Sequence, residues 1–352
     1  MKIVVVGAGY AGTYAANIVA RRTEAEITVV NPRGHFVERV RLHQRVAGTS
    51  QASHPLTSML RAGITTRIGT VEKIGDGLVT LDDGASLTFD LALLAVGSTA
   101  RPLPGAIAVA TWEGAEQARD ALATLGPKAV VTVVGGGPTG IETAAEVAAS
   151  RPDLRVRLVG PAIAGGFAEG ARRRVRAGLD RLKVEVVEDG VAAVADGQVV
   201  LRSGTALASD LTLWGIVSGV PDLAARSGLT VDEEGRLVVD EFLRSVDDPR
   251  IFAAGDCAAV PGARMSCQAS EPQGATAALN LTRTIQGRDL TPHVVRFVAV
   301  CVSLGRADAV AQFTHFDDSP RKAYLAGRAG AVLKEQVTRG TVFGAKAGVP
   351  FR

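Results

Sequence analysis

Cysteine is scarce. Cys257, Cys267 and Cys301 are the only three in 352 residues, and no two of them form a CxxC pair. Their number and spacing offer no disulfide framework and no zinc or other metal site, and they fit a reducing, cytoplasmic compartment. A charge block of one sign is also missing. Lys and Arg number 39 against 36 Asp and Glu, a formal net charge of +3, which gives no reason to expect a nucleic-acid partner. No stretch has the length of a membrane-spanning helix, and a strand begins within two residues of Met1, leaving no room for a charged leader and cleavage site. A myristoylation signal is absent too. What is present is apolar: 47% of the residues are hydrophobic, enough to bury a sizeable core and to build two domains.

Lys2 to Val6 is a continuous apolar run that stops at Gly7. A helix-compatible stretch, Tyr10 to Arg21, and a second apolar run, Ile27 to Val30, follow it. Such runs suit the buried parallel strands of an α/β sheet, and the order reads as β-α-β. The pattern returns about 130 residues later, with Ala129 to Val134, a glycine turn, a helix to Ser150 and a third run, Val156 to Val159. Short alternating segments fill the space after each unit. Gly69 to Val71, Gly77 to Leu81 and Leu91 to Val96 follow the first; Val184 to Val187, Val191 to Val194, Val199 to Leu201 and Leu211 to Trp214 follow the second. Each set reads as a β-meander that rejoins the parallel sheet. Beyond Pro292 the pattern breaks, and a separate C-terminal cap is expected.

Gly7-Ala8-Gly9-Tyr10-Ala11-Gly12 lies directly between a strand and a helix, the setting in which GxGxxG carries meaning. The first glycine permits the tight turn, the second lets backbone approach a pyrophosphate, and the third lets helix and strand pack closely. The helix N-terminus then offers N–H groups and partial positive charge to the phosphates. Where a carboxylate usually takes the ribose hydroxyls stand Asn31 and Pro32, which read equally as a ribose-binding amide or a simple turn. Gly135 to Gly140 repeats the device, with Gly137 and Thr139 inside it and Glu142 and Glu146 behind it. Two loops imply two dinucleotides side by side, as hydride transfer from nicotinamide to flavin requires. The second unit's strand ends in Gly160-Pro161 without an acid, so NADH and NADPH both stay open. Arg172, Arg173 and Arg174 offer contacts to a 2′-phosphate, although a solvated helix face is the favoured role. Ile251 to Asp256 is a strand ending in Gly-Asp, and Leu93 to Ser98 brings Gly97 to the rejoining sheet. Asp256 there suits a ribityl hydroxyl.

Gly7 to Gly12, Ala95 to Ser98, Gly135 to Glu142 and Ile251 to Asp256, in this order, resemble the two-dinucleotide-domain flavoproteins of the pyridine nucleotide-disulfide oxidoreductase superfamily. The resemblance implies an α/β fold of two Rossmann-like domains, the second inserted in the first. FAD would occupy residues 1–106 with 235–290, NAD(P)H residues 107–234, and the cap residues 291–352. It assigns Gly7, Gly9, Ala11, Gly12, Arg45, Asp256 and the backbone of Val71 to FAD, and Gly135, Gly137, Thr139, Gly140 and Glu142 to the nicotinamide side; Asn31 and Gly97 are further cofactor-binding candidates from their places in the pattern. The redox Cys pair of the disulfide reductases is missing, since Phe36 to Arg45 contains no cysteine, so disulfide reduction is not expected.

Within the superfamily the chain is most similar to the type II NADH:quinone dehydrogenases and the ferroptosis-suppressor-type quinone reductases. Cys267 to Gly274 resembles the glutamine-bearing segment beside their quinone site, which assigns Gln268 and Gln273 to a small quinone-like acceptor. Ser303 to Asp308 resembles the segment that begins the cap of the second type, and Gly327 to Lys346 resembles its end in spacing. Glu142 is expected either as a proton relay or as a helix N-terminal carboxylate stabilised by the dipole. Lys334, Arg339 and Lys346 would allow peripheral contact with the inner face of a membrane, with packing on the FAD domain the favoured alternative. The competing functions are a ferredoxin or rubredoxin reductase and a flavin-binding redox regulator.

Overall fold

A strand that is apolar throughout belongs inside a parallel sheet covered on both faces. Past its first residue, Lys2, the strand Lys2–Val6 meets that condition, with Ile3, Val4, Val5 and Val6 all buried. In the computed structural model, which describes residues 1–349, this strand is the centre of a five-stranded parallel sheet. The order is Ile251–Ala253, Leu91–Leu94, Lys2–Val6, Glu26–Asn31, Thr65–Ile68. Residues 350–352, the end of the expected cap, lie outside the described residues. The second unit builds the same sheet again: Ile107–Ala108, Leu211–Trp214, Val130–Val134, Arg155–Val159, Glu185–Val187. Both follow the doubly wound order, which puts the mouth of the site at the carboxyl ends of the strands. Because Ile251–Ala253 completes the first sheet only after the second has been built, the second unit is nested within the first.

The duplication extends to detail. Val71–Gly75, Leu78–Leu81 and Ser86–Thr88 form an antiparallel meander, as do Val191–Ala195, Gln198–Leu201 and Ala206–Ala208. Each has its register shift at the same place, between Val71 and Lys73 and between Val191 and Ala193. Val184 to Val187, grouped by periodicity with the second meander, instead supplies Glu185–Val187 as an edge strand of the parallel sheet. Three residues of alternation cannot say which sheet a strand joins.

The helix Tyr10–Arg22 carries two contacts that decide the architecture. The long helix Cys267–Ile285 packs on it so closely that a Cβ on Gly274 would stand 2.7 Å from the Ala11 carbonyl oxygen. Its far end receives the C-terminal helix, Gly327–Ala347. Asn17 Nδ2 donates to the Ala345 carbonyl at 2.8 Å, Arg21 to that of Gly348 at 3.2 Å, and the Tyr14 hydroxyl to that of Val349 at 2.5 Å. The C-terminal helix is therefore docked on the first unit. The cap's sheet, Ala299–Ser303, Ala309–Thr314 and Pro320–Ala326, is tied to the second: Arg174 donates twice to Asp308, at 2.7 and 2.8 Å, and Arg181 also pairs with it. No helix among the described residues is long and apolar enough to cross a membrane.

Overpacking a helix contact of this kind costs about 1–3 kcal/mol. Gly274→Val should lower the melting temperature of the purified protein in thermal unfolding; an unchanged value would mean that the two helices have room to spare.

Candidate active site

Each glycine of the first loop has its own job. Gly7 has φ +103°, and a Cβ on it would stand 2.3 Å from the Ala95 carbonyl oxygen; on Gly12 it would stand 1.9 Å from that of Gly7. Gly9 has nothing within 4 Å of its Cβ position. Two glycines are thus consumed by packing, while the third leaves backbone open to a ligand. No side chain caps the helix that follows, so its first N–H groups stay available to an anion. The second loop repeats this. A Cβ on Gly140 would stand 1.9 Å from the Gly135 carbonyl oxygen, Gly137 is open, and the Pro138–Ser150 helix has no side-chain cap. In front of it, Gly135, Gly137, Thr139, Gly160 and Trp214 contribute to a cavity of about 580 Å³. Both loops fit a dinucleotide phosphate.

Asn31 serves the first loop from behind. Its Oδ1 accepts from Ala8 N at 3.0 Å and its Nδ2 donates to the Arg33 carbonyl at 2.7 Å. Val71 is buried at the start of the first meander, and Val191, its counterpart by register, lines the second cavity. At the mouth of the first sheet, Asp256 collects polar groups. Ser98 Oγ donates to it at 2.5 Å, Ser270 Oγ at 3.4 Å, and the Arg39 guanidinium stands 3.6 Å away. Arg39 also donates to Ser98 Oγ at 2.9 Å, beside Gly97. This cluster suits the hydroxyls of a ribityl chain.

Several expected side chains are engaged elsewhere. Arg45 is bound to Glu116 and to Gln51, so it braces the contact between the Leu42–Val46 and Trp112–Thr124 helices and has no guanidinium edge left for FAD. Arg39, which the sequence did not single out, faces the site in its place. Gln273 is 2% exposed and accepts from Gly255 N at 2.7 Å, so it holds the Gly-Asp turn and does not face an acceptor. Gln268, with its amide turned to match its neighbours, accepts from Val298 N and donates to the Ala299 carbonyl. It fastens the helix start to the cap. The arginines considered for a 2′-phosphate are ion-paired: Arg172 with Glu188, Arg173 with Glu169, Arg174 with Asp308. Lys334, considered for lipid contact, turns inward.

Lys334 turns toward Glu142. The carboxylate is buried, ion-paired with Lys334, and accepts from Ser303 N at 2.9 Å and Ser303 Oγ at 3.1 Å; His43 Nδ1 lies 3.7 Å away. Burial pushes the Lys334 ammonium down to about 7, with Arg41 adding to the push and Glu335 opposing it. His43 is driven well below its ordinary value by burial and then by the charges of Lys334, Arg306 and Arg41, so it is neutral at pH 7. Glu142 was legible in sequence. Its partners, from 99 to 192 residues distant, were not.

The three cysteines are free, and burial raises them all: Cys257 and Cys301 to about 11, Cys267 well above its ordinary value. Thiols held protonated are poor nucleophiles. Among the described residues no cluster of His, Cys, Asp or Glu is arranged to hold a metal ion.

Comparison with known proteins gives a consistent result. Residues 1–279 match the model of the family described as pyridine nucleotide-disulphide oxidoreductase. An NADH dehydrogenase-like protein of Mycobacterium tuberculosis is 30% identical over 383 aligned positions, covering 97% of this chain and 94% of that one. Ferroptosis suppressor protein 1 of Homo sapiens is 25% identical, covering 90% of this chain and 89% of its own. Among solved structures, the sulfide:quinone oxidoreductase of Aquifex aeolicus superposes with a TM-score of 0.82 over 99% of this chain and 92% of its own. At 18% identity that likeness speaks for the fold.

A hydrogen bond to a charged group contributes about 1.5–3 kcal/mol, so Asp256→Ala should weaken flavin retention by about ten-fold or more. Flavin absorbance per protein after gel filtration checks this, and full retention would remove Asp256 from the cofactor contacts.

Proposed function

Because the chain belongs to the pyridine nucleotide-disulphide oxidoreductase family, we propose that it is an FAD-dependent enzyme that carries electrons from NAD(P)H to a small quinone-like acceptor. In this proposal residues 1–106 and 235–290 hold FAD, residues 107–234 hold NAD(P)H, and residues 291–352 form the cap. Bound FAD supplies the two-electron relay between nicotinamide and acceptor. Gly7, Gly9, Ala11, Gly12, Gly97, Ser98, Arg39 and Asp256 would hold it, with Asn31 bracing the loop. The nucleotide would lie along Gly135, Gly137, Thr139 and Gly140.

The observation that carries the proposal is the buried Glu142–Lys334 pair. Reducing a quinone to a quinol takes two electrons and two protons, whereas NAD(P)H brings two electrons with one proton. The second proton must come from the protein or from solvent. A lysine poised near 7 beside a carboxylate, on the helix behind the nucleotide loop, suits that transfer. Ser303 fixes the carboxylate, and neutral His43 completes the enclosure.

Two further observations favour a small acceptor. The thiols are free and held protonated, which leaves no route through a disulfide. The arginines of the Glu169–Arg181 helix that could have formed a basic dock for a small redox protein are neutralised by Glu169, Glu188 and Asp308. Measurable turnover separates an enzyme from a flavin-binding regulator.

Anaerobic stopped-flow mixing with NADH or NADPH should bleach the flavin, and a short-chain quinone should restore it. Bleaching without recovery would move the acceptor to a protein partner. Lys334 is lowered, so its proton is present below about 7 and lost above it. The recovery rate should therefore fall as pH rises through that value. Lys334→Met should slow recovery by about 100-fold and abolish this limb, in keeping with the loss of a general acid. A variant that keeps the wild-type pH profile would exclude Lys334 from the proton path.

A further inference from the structure

The cavity before the second glycine loop ends against the turn after the Arg155–Val159 strand. In a dinucleotide unit this is where an acid accepts the adenosine ribose hydroxyls and so disfavours a 2′-phosphate. Gly160 occupies the position, and the fold has no room for anything else. A Cβ there would stand 2.7 Å from Gly136 N and 3.0 Å from Gly136 Cα. Pro161 and Ala162, next in the turn, bring no polar side chain. No acidic residue lines the cavity, and its lining includes a single charged side chain, Arg202.

Arg202 follows the Gln198–Leu201 strand, and its stem lies across Gly190: a Cβ on that glycine would stand 2.7 Å from Arg202 Cδ. Gly190 thus gives the arginine its way along the cavity wall. Among the described residues Arg202 forms no ion pair. Asp189, the carboxylate that senses its charge, turns its oxygens to the N–H groups of Gly190 and Ser203. Arg172, Arg173, Arg174 and Arg176 of the neighbouring helix all have carboxylate partners.

A cavity with a ribose position that excludes an acid, and an uncommitted guanidinium on its wall, matches a nucleotide carrying an additional phosphate. We propose that this pocket selects NADPH over NADH, with Arg202 as the residue that recognises the 2′-phosphate. The proposal rests on the assignment of this cavity to the nicotinamide nucleotide. Arginine suits the task because its planar fork meets a phosphate with two parallel, charge-assisted hydrogen bonds.

The test is calorimetric titration of the FAD-loaded protein with adenosine 2′,5′-bisphosphate and with adenosine 5′-monophosphate. The bisphosphate should bind about ten-fold tighter or better, as expected for one charge-assisted phosphate contact. Arg202→Gln should bring the two ligands within about two-fold of each other, and Arg202→Lys should restore part of the gap. The flavin spectrum of each variant reports whether the fold is retained. Equal binding of both ligands by the unaltered protein would overturn the proposal, as would an Arg202→Gln variant that weakens both equally. Failure of both ligands to bind would instead overturn the assignment of the cavity itself. The ratio of kcat/KM for NADPH to that for NADH should fall in Arg202→Gln in step with the calorimetric difference.

Discussion

A carboxylate taken out of water needs a partner, because the effective penalty for an isolated buried charge is several kcal/mol. Glu142 is buried, and three separate parts of the chain converge to meet the requirement: His43 from the first unit, Ser303 from the cap sheet and Lys334 from the C-terminal helix. The network continues from there. Glu335, next to Lys334, pairs with Arg41 at 2.9 Å; Arg41 pairs with Glu38 at 2.9 Å; and Glu38 meets His54 at 2.7 Å. Charges of alternating sign thus connect the helix behind the second glycine loop, through the cap, to the first unit. The cap's position follows from this network and from the backbone clamps of Tyr14, Asn17 and Arg21.

The same economy runs through the first helix. One end faces the dinucleotide loop, its flank takes the Cys267–Ile285 helix through the bare backbone of Gly274, and its far end receives the last turn of the Gly327–Ala347 helix. Small residues make these approaches possible. Ala11, Ala15 and Ala16 are all buried on it, and none keeps a neighbour at a distance. The alanine and glycine content that makes the sequence look bland is what brings the site elements together.

The legible parts were those set by a few consecutive residues. GxGxxG between strand and helix, the Gly-Asp turn at Asp256 and the duplicated meanders are local patterns, and each marks a feature of the structure. The roles that depend on distant partners were hidden. Asn31 could be read as facing a ribose until Ala8 N was seen to take its oxygen. Arg45 carried the expectation, and no local pattern sets Arg39 apart from it. A single turn of 3-10 helix at Arg39–Arg41, followed by the short Leu42–Val46 helix, turns Arg39 toward Asp256 and Arg45 toward Glu116. Gln273 kept its place in the motif but its amide was needed by Gly255. For Lys334, neither lipid contact nor the favoured packing of the cap on the first unit names its partner, because the carboxylate that draws it inward is 192 residues earlier in the chain.

The cap also acts as a strap. Asp308 binds it to the second unit through Arg174 and Arg181, and its last helix is clamped to the first. The chain crossing between the units is itself bonded, Thr99 N to the Gly219 carbonyl and Ser218 N to that of Thr99. A clamshell motion would have to break several of these bonds at once. The spacing of the two glycine loops is therefore held by bonds from three parts of the chain, and shifting one unit against the other costs all of them together.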